Sequence, residues 1–571
     1  MEIAAIERKK RKFIPNDLVI ENWEQLLPFF NELLHHNITE IDDLLLWMEK
    51  RSELGAAIDD EFRWRYIRQT CDTESEKLRN DYEYFVSEIS PKLMEINNQL
   101  NKKVADSGLF DALIEKGLSV YVRGLKNSIA LFREENIPLY TALNLKEQEY
   151  GQIIGRMTIE HEGAELTIAQ ANKLLHSEHR ALRETIYKKI GERRLQDKNA
   201  LENLFDELIL LRDKIAKNAG FDNYRDYKFE ELGRFDYGIK ECEDFHDAVK
   251  NKVLPLVELI DLKIKSKLGL SELKPYDMDA PFPGEKTLKP FESDRELIEK
   301  SILTLDKIDP YFSWCLATMD KMNHFDLESR KGKGPGGYNM SMPELGIPFV
   351  FMNASGTHSD VTTMIHEAGH AVHSFLVKDL PFDFDKEVSS EVAELASMSM
   401  ELFALDAYDV FYSDPNDLKK TKSDQLERII SILPWIAIID KFQHWIYTHI
   451  GHSQVERKAA WESISKEFSS GIKNFDGLEE IAAYSWHKQL HLFEVPFYYI
   501  EYGIAQLGAL GMWKNYKENP KKAIENYKKA LALGYTQPIP VMYETAGVPF
   551  DFTSKHIGSL MQFIKGELER S

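Results

Sequence analysis

The sequence has 571 residues, with 94 acidic against 72 basic side chains and a formal net charge of −22 at pH 7. A net negative field repels nucleic acid and anionic lipid, so neither is expected as a partner. No apolar run approaches the roughly 20 residues of a membrane helix, and no apolar signal segment follows the basic N-terminal cluster. Three widely spaced cysteines suit a reducing compartment. We therefore expect a cytoplasmic protein without membrane partners, of undetermined oligomeric state.

Helical periodicity dominates the first part of the chain. Residues 19–50 and 74–103 carry apolar positions every three or four residues on a charged background. Residues 153–169 instead alternate around the turn-like HEGAE, which predicts a short β-hairpin. A boundary near residue 190 would separate an N-terminal helical domain, 1–190, from a second domain, 191–571. The predicted fold class is mostly α.

Glycine and proline interrupt the helical pattern between residues 330 and 357. Two short strands, 338–342 and 348–353, are predicted there, joined by PELG. Pro348 restricts the second strand to a strand start or a sheet edge, because proline has no N–H to donate.

The stretch MIHEAGHAVHSF follows and contains the pattern HExxH. His366 and His370 are separated by four residues, so in a helix they share a face and can hold one metal ion. Glu367 lies about 100° round the helix, where it can contact a metal-associated water without being a ligand. The alternative is an amphipathic helix whose histidines are satisfied by core hydrogen bonds.

A third ligand is sought in VSSEVAELASMSMELF, 388–403, which the pattern predicts to be a helix. Glu391, Glu394 and Glu401 lie broadly on one face of it. Glu394 lies among apolar residues and needs a partner, which a metal would supply. Glu391 is equally explained as a first-turn acid stabilised by the helix dipole. Glu401 and Asp360 compete as the acceptor for an imidazole N–H.

Donors for a developing oxyanion are sought in QLHLFEVPFYYIEYGIAQLG, 489–508. Pro496 is predicted to open a helix, in which Tyr498 and Tyr502 share a face and Tyr499 is turned away. His491 precedes the proline. The alternative is an aromatic stripe that belongs to the core, although buried phenol hydroxyls need partners.

Together these motifs resemble the thimet oligopeptidase and oligoendopeptidase F superfamily of zinc metallopeptidases. HEAGH, the glutamate 28 residues after its first histidine, and the His/Tyr-rich segment carry the resemblance, which is strongest over 330–510. The bacterial, Pz-peptidase-like oligoendopeptidase F branch is the most similar. The resemblance implies an ellipsoidal helical molecule, a deep channel for short unfolded peptides, and a small β-sheet beside the HExxH helix.

The resemblance also implies roles for individual residues. One zinc ion would be held by His366, His370 and Glu394, with Glu367 as general base, His491 and Tyr502 as oxyanion donors, and Tyr498 as a substrate contact or assistant. Tyr499 adjoins Tyr498, whereas many relatives space their tyrosines by two, which leaves the individual tyrosine roles open. A strand at 348–353 could add a peptide strand at a sheet edge, and Gly336, Gly337 and Tyr338 could fold over substrate.

The predicted function is zinc-dependent hydrolysis of short oligopeptides by an endopeptidase. Two alternatives remain at this stage. A metallocarboxypeptidase of similar fold could capture a terminal carboxylate with Arg330, Lys331 and Lys333. A non-catalytic helical peptide-binding protein could retain the metal site without activity.

Overall fold

The computed structural model describes residues 3, 5–286, 288–334 and 336–570. The α-helices and strands follow in chain order. They are α1 Leu27–His35, α2 Ile41–Cys71, α3 Glu76–Tyr84, α4 Ser90–Asp106, α5 Phe110–Glu115, α6 Ser119–Leu131, α7 Ile137–Gly155, β1 Thr158–His161, β2 Ala164–Thr167, α8 Ile168–Lys173, α9 Arg180–Gln196, α10 Lys198–Asn218, α11 Tyr224–Glu231, α12 Ile239–Ala248, α13 Leu254–Lys267, α14 Asp294–Asp306, α15 Pro310–Lys321, β3 Phe325–Glu328, β4 Tyr338–Met340, β5 Phe349–Ala354, α16 His358–Val377, α17 Ser390–Ala404, α18 Pro415–Thr448, α19 Gln454–Glu467, α20 Glu479–Ala483, α21 Leu490–Glu494, α22 Tyr499–Glu518, α23 Pro520–Leu531, α24 Ile539–Ala546 and α25 Ser554–Arg570. The predicted mostly α class is confirmed.

Two compact units are built from non-contiguous segments. Unit 1 comprises Met1–Leu131, Leu288–Lys422 and Ala505–Phe550, and unit 2 comprises Phe132–Thr287, Ser423–Ile504 and Asp551–Ser571. Residue 190 lies inside the continuous helix α9 of unit 2. The division into domains 1–190 and 191–571 therefore differs from the division by compactness, and it stays a prediction.

Unit 1 contains a three-stranded sheet in the order β3–β5–β4. β5 pairs parallel with β3 and antiparallel with β4. The strand predicted at 348–353 is therefore the central strand and not an edge, so its proposed pairing with a peptide is wrong for β5. Its sequence, FVFMNA, is buried on both faces at its start, as expected of a central strand. Pro348 stands just before the strand, where a missing N–H costs no ladder bond.

Unit 2 contains the β-hairpin that the sequence predicts. β1 and β2 pair antiparallel, with His161 opposite Ala164. The two turn residues, Glu162 and Gly163, have φ of 51° and 79°. Positive φ at both central positions is the hairpin geometry that matches the twist of the strands.

Helix α18 is the one helix among the described residues that is long and apolar enough to cross a membrane by length and composition. No apolar run of this kind was expected from the sequence. Of its most apolar 18-residue window, 67% is buried inside the protein. Such burial is what the core helix of a folded protein shows.

Candidate active site

Helix α16 carries the HExxH motif and begins with a capping box. The Thr357 hydroxyl accepts a hydrogen bond from the Asp360 N–H, and the Asp360 carboxylate accepts one from the Thr357 N–H at 2.8 Å. Asp360 Oδ2 also accepts from the Ser355 N–H at 2.9 Å. Asp360 thus starts the helix by satisfying free N–H groups. Its carboxylate bonds to the cap rather than to an imidazole, contrary to the role considered for it.

Three candidate ligands from α16 and α17 come together in unit 1. His366 Nε2 lies 3.3 Å and His370 Nε2 lies 3.9 Å from Glu394 Oε2. One donor atom from each of the three residues lies within 4.8 Å of the other two. Two imidazoles and a carboxylate are the His₂Glu set of catalytic zinc sites. The chemistry and spacing of this donor set therefore fit a zinc ion.

Gly369, the fourth residue of HEAGH, allows α16 and α17 to approach this closely. A Cβ at this position would lie 2.6 Å from Ser397 Cα and 2.7 Å from the Ala396 carbonyl oxygen. Both atoms belong to backbone, which cannot move aside without shifting α17. A side chain at position 369 would therefore separate the two helices that carry the ligands.

Hydrogen bonds orient two of the ligands. The Glu401 carboxylate lies 2.7 Å from His366 Nδ1, so it accepts the N–H that leaves Nε2 free for a metal. The Ser397 hydroxyl donates to Glu394 Oε2 at 3.0 Å. Glu401 occupies the role considered for it. Glu391 is buried, and its backbone carbonyl accepts from the Tyr543 hydroxyl.

The charges of the ligand set are strongly coupled. Burial alone would lower the pKa of His366, but Glu394 and Glu401 raise it well above its usual value. Burial alone would raise the pKa of Glu394, but His366 and His370 lower it to about 2. Burial lowers the pKa of His370 to about 4. Glu394 is thus anionic and His370 neutral at pH 7, which are the forms that bind a metal, whereas His366 would release a proton when a metal binds.

Glu367 is separate from the ligand set. Its side chain is buried, and burial raises its pKa to about 7 against a smaller opposing effect of His366. Its backbone carbonyl accepts a hydrogen bond from the Asn339 amide of β4 at 3.0 Å. A carboxyl group with a pKa near neutrality can both take up and release a proton. His373 is buried further along the helix, and burial lowers its pKa to about 3.

The glycine-rich segment before β4 is tied to the sheet. A Cβ on Gly337 would lie 3.3 Å from the Phe351 carbonyl oxygen, and Gly336 has a φ of 89°. The Tyr338 hydroxyl lies 2.6 Å from Thr70 Oγ1, and its ring stacks on Phe351. The substrate contacts predicted for Gly336, Gly337 and Tyr338 stay predictions.

The basic spot considered for carboxylate capture is already paired. Arg330 donates to both oxygens of Asp326, at 2.5 and 2.7 Å. The Lys333 ammonium is fully buried and donates to Asp326 at 2.8 Å. Lys331 is 3.9 Å from Glu74. Two of the three cations thus bind within the protein, which weakens the carboxypeptidase alternative.

The predicted donors cluster in unit 2. The ring of His491 lies 6.0 Å from that of Tyr498, 4.8 Å from Tyr499 and 5.8 Å from Tyr502. The expectation that Tyr499 turns away is therefore wrong. The helix α22 also begins at Tyr499 and not at Pro496. The cause is Phe497, whose φ of 67° is incompatible with a right-handed helix.

Gln489 fixes the protonation of His491. The Trp435 indole N–H, which can only donate, bonds to Gln489 Oε1 at 2.9 Å. The Gln489 amide nitrogen must therefore face His491 Nδ1, 2.7 Å away, and donate to it. Burial lowers the pKa of His491 to about 4, so the ring is neutral at pH 7. Its remaining proton is then on Nε2, which becomes a hydrogen-bond donor.

The backbone between His491 and α22 is strained but firmly held. The Phe497 ring is fully buried, and its N–H donates to Gln443 Oε1 at 2.6 Å. Its carbonyl accepts from Arg234, which also pairs with Glu501 at 2.8 Å. A left-handed conformation is uncommon for a bulky residue and persists where the surroundings enforce it.

Unit 2 also contains a cavity of about 1010 Å³ beside this cluster. Its lining includes Trp435, the residue that orients Gln489. Lys488 lies over the Trp435 ring at 4.8 Å, and burial lowers its pKa to about 8. The volume is within the range of pockets that enclose small organic ligands.

The sequence profile of Peptidase family M3 matches residues 173–560, and that of the Peptidase M3 N-terminal domain matches residues 16–132. The chain belongs to peptidase family M3. It is thus a metalloendopeptidase, and the resemblance found in its motifs is confirmed. The alternative of a non-catalytic peptide-binding protein is excluded by this membership.

Individual relatives of this chain agree with its assignment to family M3. The chain is 25% identical over 490 residues to an oligoendopeptidase F homolog of Borreliella burgdorferi, covering 82% of this chain and 78% of the relative. It is 24% identical over 407 residues to oligopeptidase PepF of Bacillus subtilis, covering 69% and 58%.

Solved structures are similar over almost the whole chain. That of PZ peptidase A with inhibitor 2 has a TM-score of 0.89 at 25% identity, covering 96% of this chain and 97% of the other. The crystal structure of oligoendopeptidase-F from Enterococcus faecium has a TM-score of 0.65 at 16% identity and covers 96% of each chain. The second likeness concerns the fold alone.

Sequence reasoning missed four residues that hold the candidate site residues of the two units in place: Gly369, Ser397, Trp435 and Gln489. Gly369 had a signal, because a glycine inside a helix costs stability and usually has a packing reason. Ser397 had a weaker one, as it stands three residues after Glu394 and thus on its face. Trp435 and Gln489 are 54 residues apart, and no local pattern connects them.

Proposed function

We propose that this chain is a zinc-dependent endopeptidase of short oligopeptides that acts in the cytoplasm, with one zinc ion in its active site. The observation that carries the proposal is the convergence of His366, His370 and Glu394, with Glu367 close enough for His366 and Glu394 to shift its pKa. The oligoendopeptidase relatives support the substrate class, and the acidic surface supports the absence of nucleic-acid partners.

The residues of the chain have distinct roles in the proposed mechanism. A zinc ion in the His₂Glu set supplies Lewis acidity toward the peptide carbonyl and toward water. The Glu367 carboxylate accepts a proton from the attacking water and later delivers it to the leaving amine. Glu401 holds the His366 N–H, so the ring presents the correct nitrogen throughout.

Donors from unit 2 complete the proposal. The neutral His491, protonated on Nε2, and the hydroxyl of Tyr502 stabilise negative charge on the former carbonyl oxygen. Tyr498 and Tyr499 contact the substrate backbone. The proximity of these four rings to one another supports a common role.

An internally quenched peptide blocked at both ends tests the function. We expect cleavage inside the peptide, its loss on incubation with a zinc chelator, and its return with added zinc. Cleavage only of peptides with a free C-terminus would favour the carboxypeptidase alternative. Activity that survives complete removal of the metal would contradict the proposal.

A further inference from the structure

A second group of metal-binding side chains lies within unit 2. Cys242 and His246 are four residues apart on α12, and Asp440 and His444 are four residues apart on α18. Residues at this spacing share a helix face, so each helix presents two donors. Cys242 Sγ, a carboxylate oxygen of Asp440 and a ring nitrogen of His444 lie within 4.8 Å of one another. His246 Nε2 is 2.8 Å from Asp440 Oδ2.

Contacts inside the protein leave one carboxylate oxygen of this group without a partner. Asp440 is fully buried, yet its Oδ1 has no hydrogen-bond partner. His444 Nε2 is also buried, and its nearest charged neighbour is the other oxygen, Asp440 Oδ2, at 3.3 Å. A buried carboxylate oxygen without a partner is rare in folded proteins, and a bound ion is one way to satisfy it. The His246–Asp440 bond accounts for only one of the available donor atoms.

The spacing matches that of the active-site ligands. His366 Nε2 and Glu394 Oε2 are 3.3 Å apart, and so are His444 Nε2 and Asp440 Oδ2. Two donors bound at about 2.0 Å to one tetrahedral ion stand roughly 3.3 Å apart. In both groups a further hydrogen bond holds one of the metal-binding side chains. Glu401 accepts a hydrogen bond from His366 Nδ1 in the first group, and Asp440 accepts one from His246 Nε2 in the second.

The charge balance also favours an ion. A divalent cation with one thiolate, one carboxylate and neutral imidazoles has no net charge, which suits a buried position. Binding breaks the Cys242 S–H bond, and its proton leaves to solvent. Thiolate, imidazole and carboxylate together are the donor types that zinc accepts.

We propose that Cys242, Asp440 and His444 form a second site for a divalent metal ion of the zinc class, with His246 holding the Asp440 carboxylate. The site joins α12 to α18 inside unit 2, so its role is structural. It does not depend on the activity assigned to the HExxH residues.

Elemental analysis of the purified full-length chain, loaded with zinc and dialysed, tests this site. We expect about two zinc ions per chain in the unchanged protein and about one in Cys242→Ser or Asp440→Asn. His366→Ala should also retain about one ion, held by the second site. Cys315→Ser, which removes another fully buried thiol, is the matched control and should retain both. A single ion in the unchanged protein that His366→Ala removes entirely would overturn the proposal.

Cobalt substitution gives a reading on the unchanged chain as well as on the variants. The HExxH group has no thiolate, so thiolate-to-cobalt absorption in the near ultraviolet reports a cysteine ligand outside that group, and its loss in Cys242→Ser assigns it to Cys242. We expect this absorption in the cobalt-loaded, unchanged chain and in Cys315→Ser. Its absence from the unchanged chain at full cobalt loading would refute ligation by Cys242.

Discussion

The two groups of candidate site residues differ in the backbone that holds them. In unit 1 the ligands and Glu367 lie on two regular helices, α16 and α17, that meet at Gly369. In unit 2 His491 lies in a five-residue helix, and the left-handed Phe497 separates it from α22. The geometry of the candidate ligands in unit 1 thus depends on the contact between two helices, whereas that of the candidate donors in unit 2 depends on hydrogen bonds that hold an irregular backbone.

The largest expected effect concerns Glu367, the proposed general base on the regular helix α16. Glu367→Gln keeps the size of the side chain but cannot accept a proton, so hydrolysis should fall by about 10³-fold. The zinc content should not change, because Glu367 is not among the ligands. Peptide cleavage and elemental analysis on the same preparation measure both quantities. Loss of zinc together with activity would instead make Glu367 a ligand.

The helix contact itself is tested by Gly369→Ala. The added methyl meets the backbone of α17, so we expect a loss of about 2 kcal/mol in the free energy of unfolding. The ligands also move apart, so zinc affinity should fall. Gly124→Ala, on a helix of the same unit with no neighbour within 4 Å of its Cβ, is the control. It should gain about 0.5–1 kcal/mol. Equal responses of the two variants would disprove the close approach.

The hydrogen bonds that hold His491 in the irregular backbone of unit 2 are tested by Gln489→Met. Without the amide donor, His491 is no longer held with its proton on Nε2. We expect kcat to fall by about 10-fold, less than the 10²–10³-fold that follows removal of an oxyanion donor. Nitrogen chemical shifts of labelled histidine report the tautomer directly. An unchanged His491 tautomer in the variant would remove Gln489 from this role.

The smallest effect concerns the dependence of stability on pH. Burial lowers the pKa of His491 from 6.5 to about 4. The stability linked to this neutral ring is therefore complete above pH 6.5 and is lost as the pH falls toward 4. Urea unfolding at pH 7 and at pH 4.5 measures how much the free energy of unfolding falls between the two. This fall should be about 1 kcal/mol smaller in His491→Gln than in the unchanged chain. His449→Gln, at an exposed histidine of unit 2, should follow the unchanged chain.

The sequence predictions also succeeded to different degrees for the two groups of residues. His366 and His370 were predicted as a pair because helical spacing gives them a shared face. Glu394 was predicted as a buried acid in need of a partner and from the family resemblance, and Glu401 lies two turns after it. The sheet role of residues 348–353 was predicted wrongly, because the position of a strand within a sheet depends on partners elsewhere in the chain. Nothing local distinguishes a central strand of six residues from an edge strand.

For the proposed donor region, residues 489–508, the sequence predicted which residue types take part but not how they are arranged. Its histidine and tyrosines lie close together in the sequence, but the predicted helix start and the predicted orientation of Tyr499 were wrong. Both errors come from Phe497, since a left-handed phenylalanine has no local sequence signal and is enforced by Arg234 and Gln443 from other segments. The tautomer of His491 likewise depends on a tryptophan 56 positions earlier in the sequence.

The hydrogen bond from Asn339 to the Glu367 carbonyl has a mechanical consequence. It connects β4 to the turn of α16 that carries Glu367. The acceptor is a backbone oxygen, so the bond acts on the position of this turn and not on the carboxylate directly. We expect a displacement of β4 to move the Glu367 backbone with it.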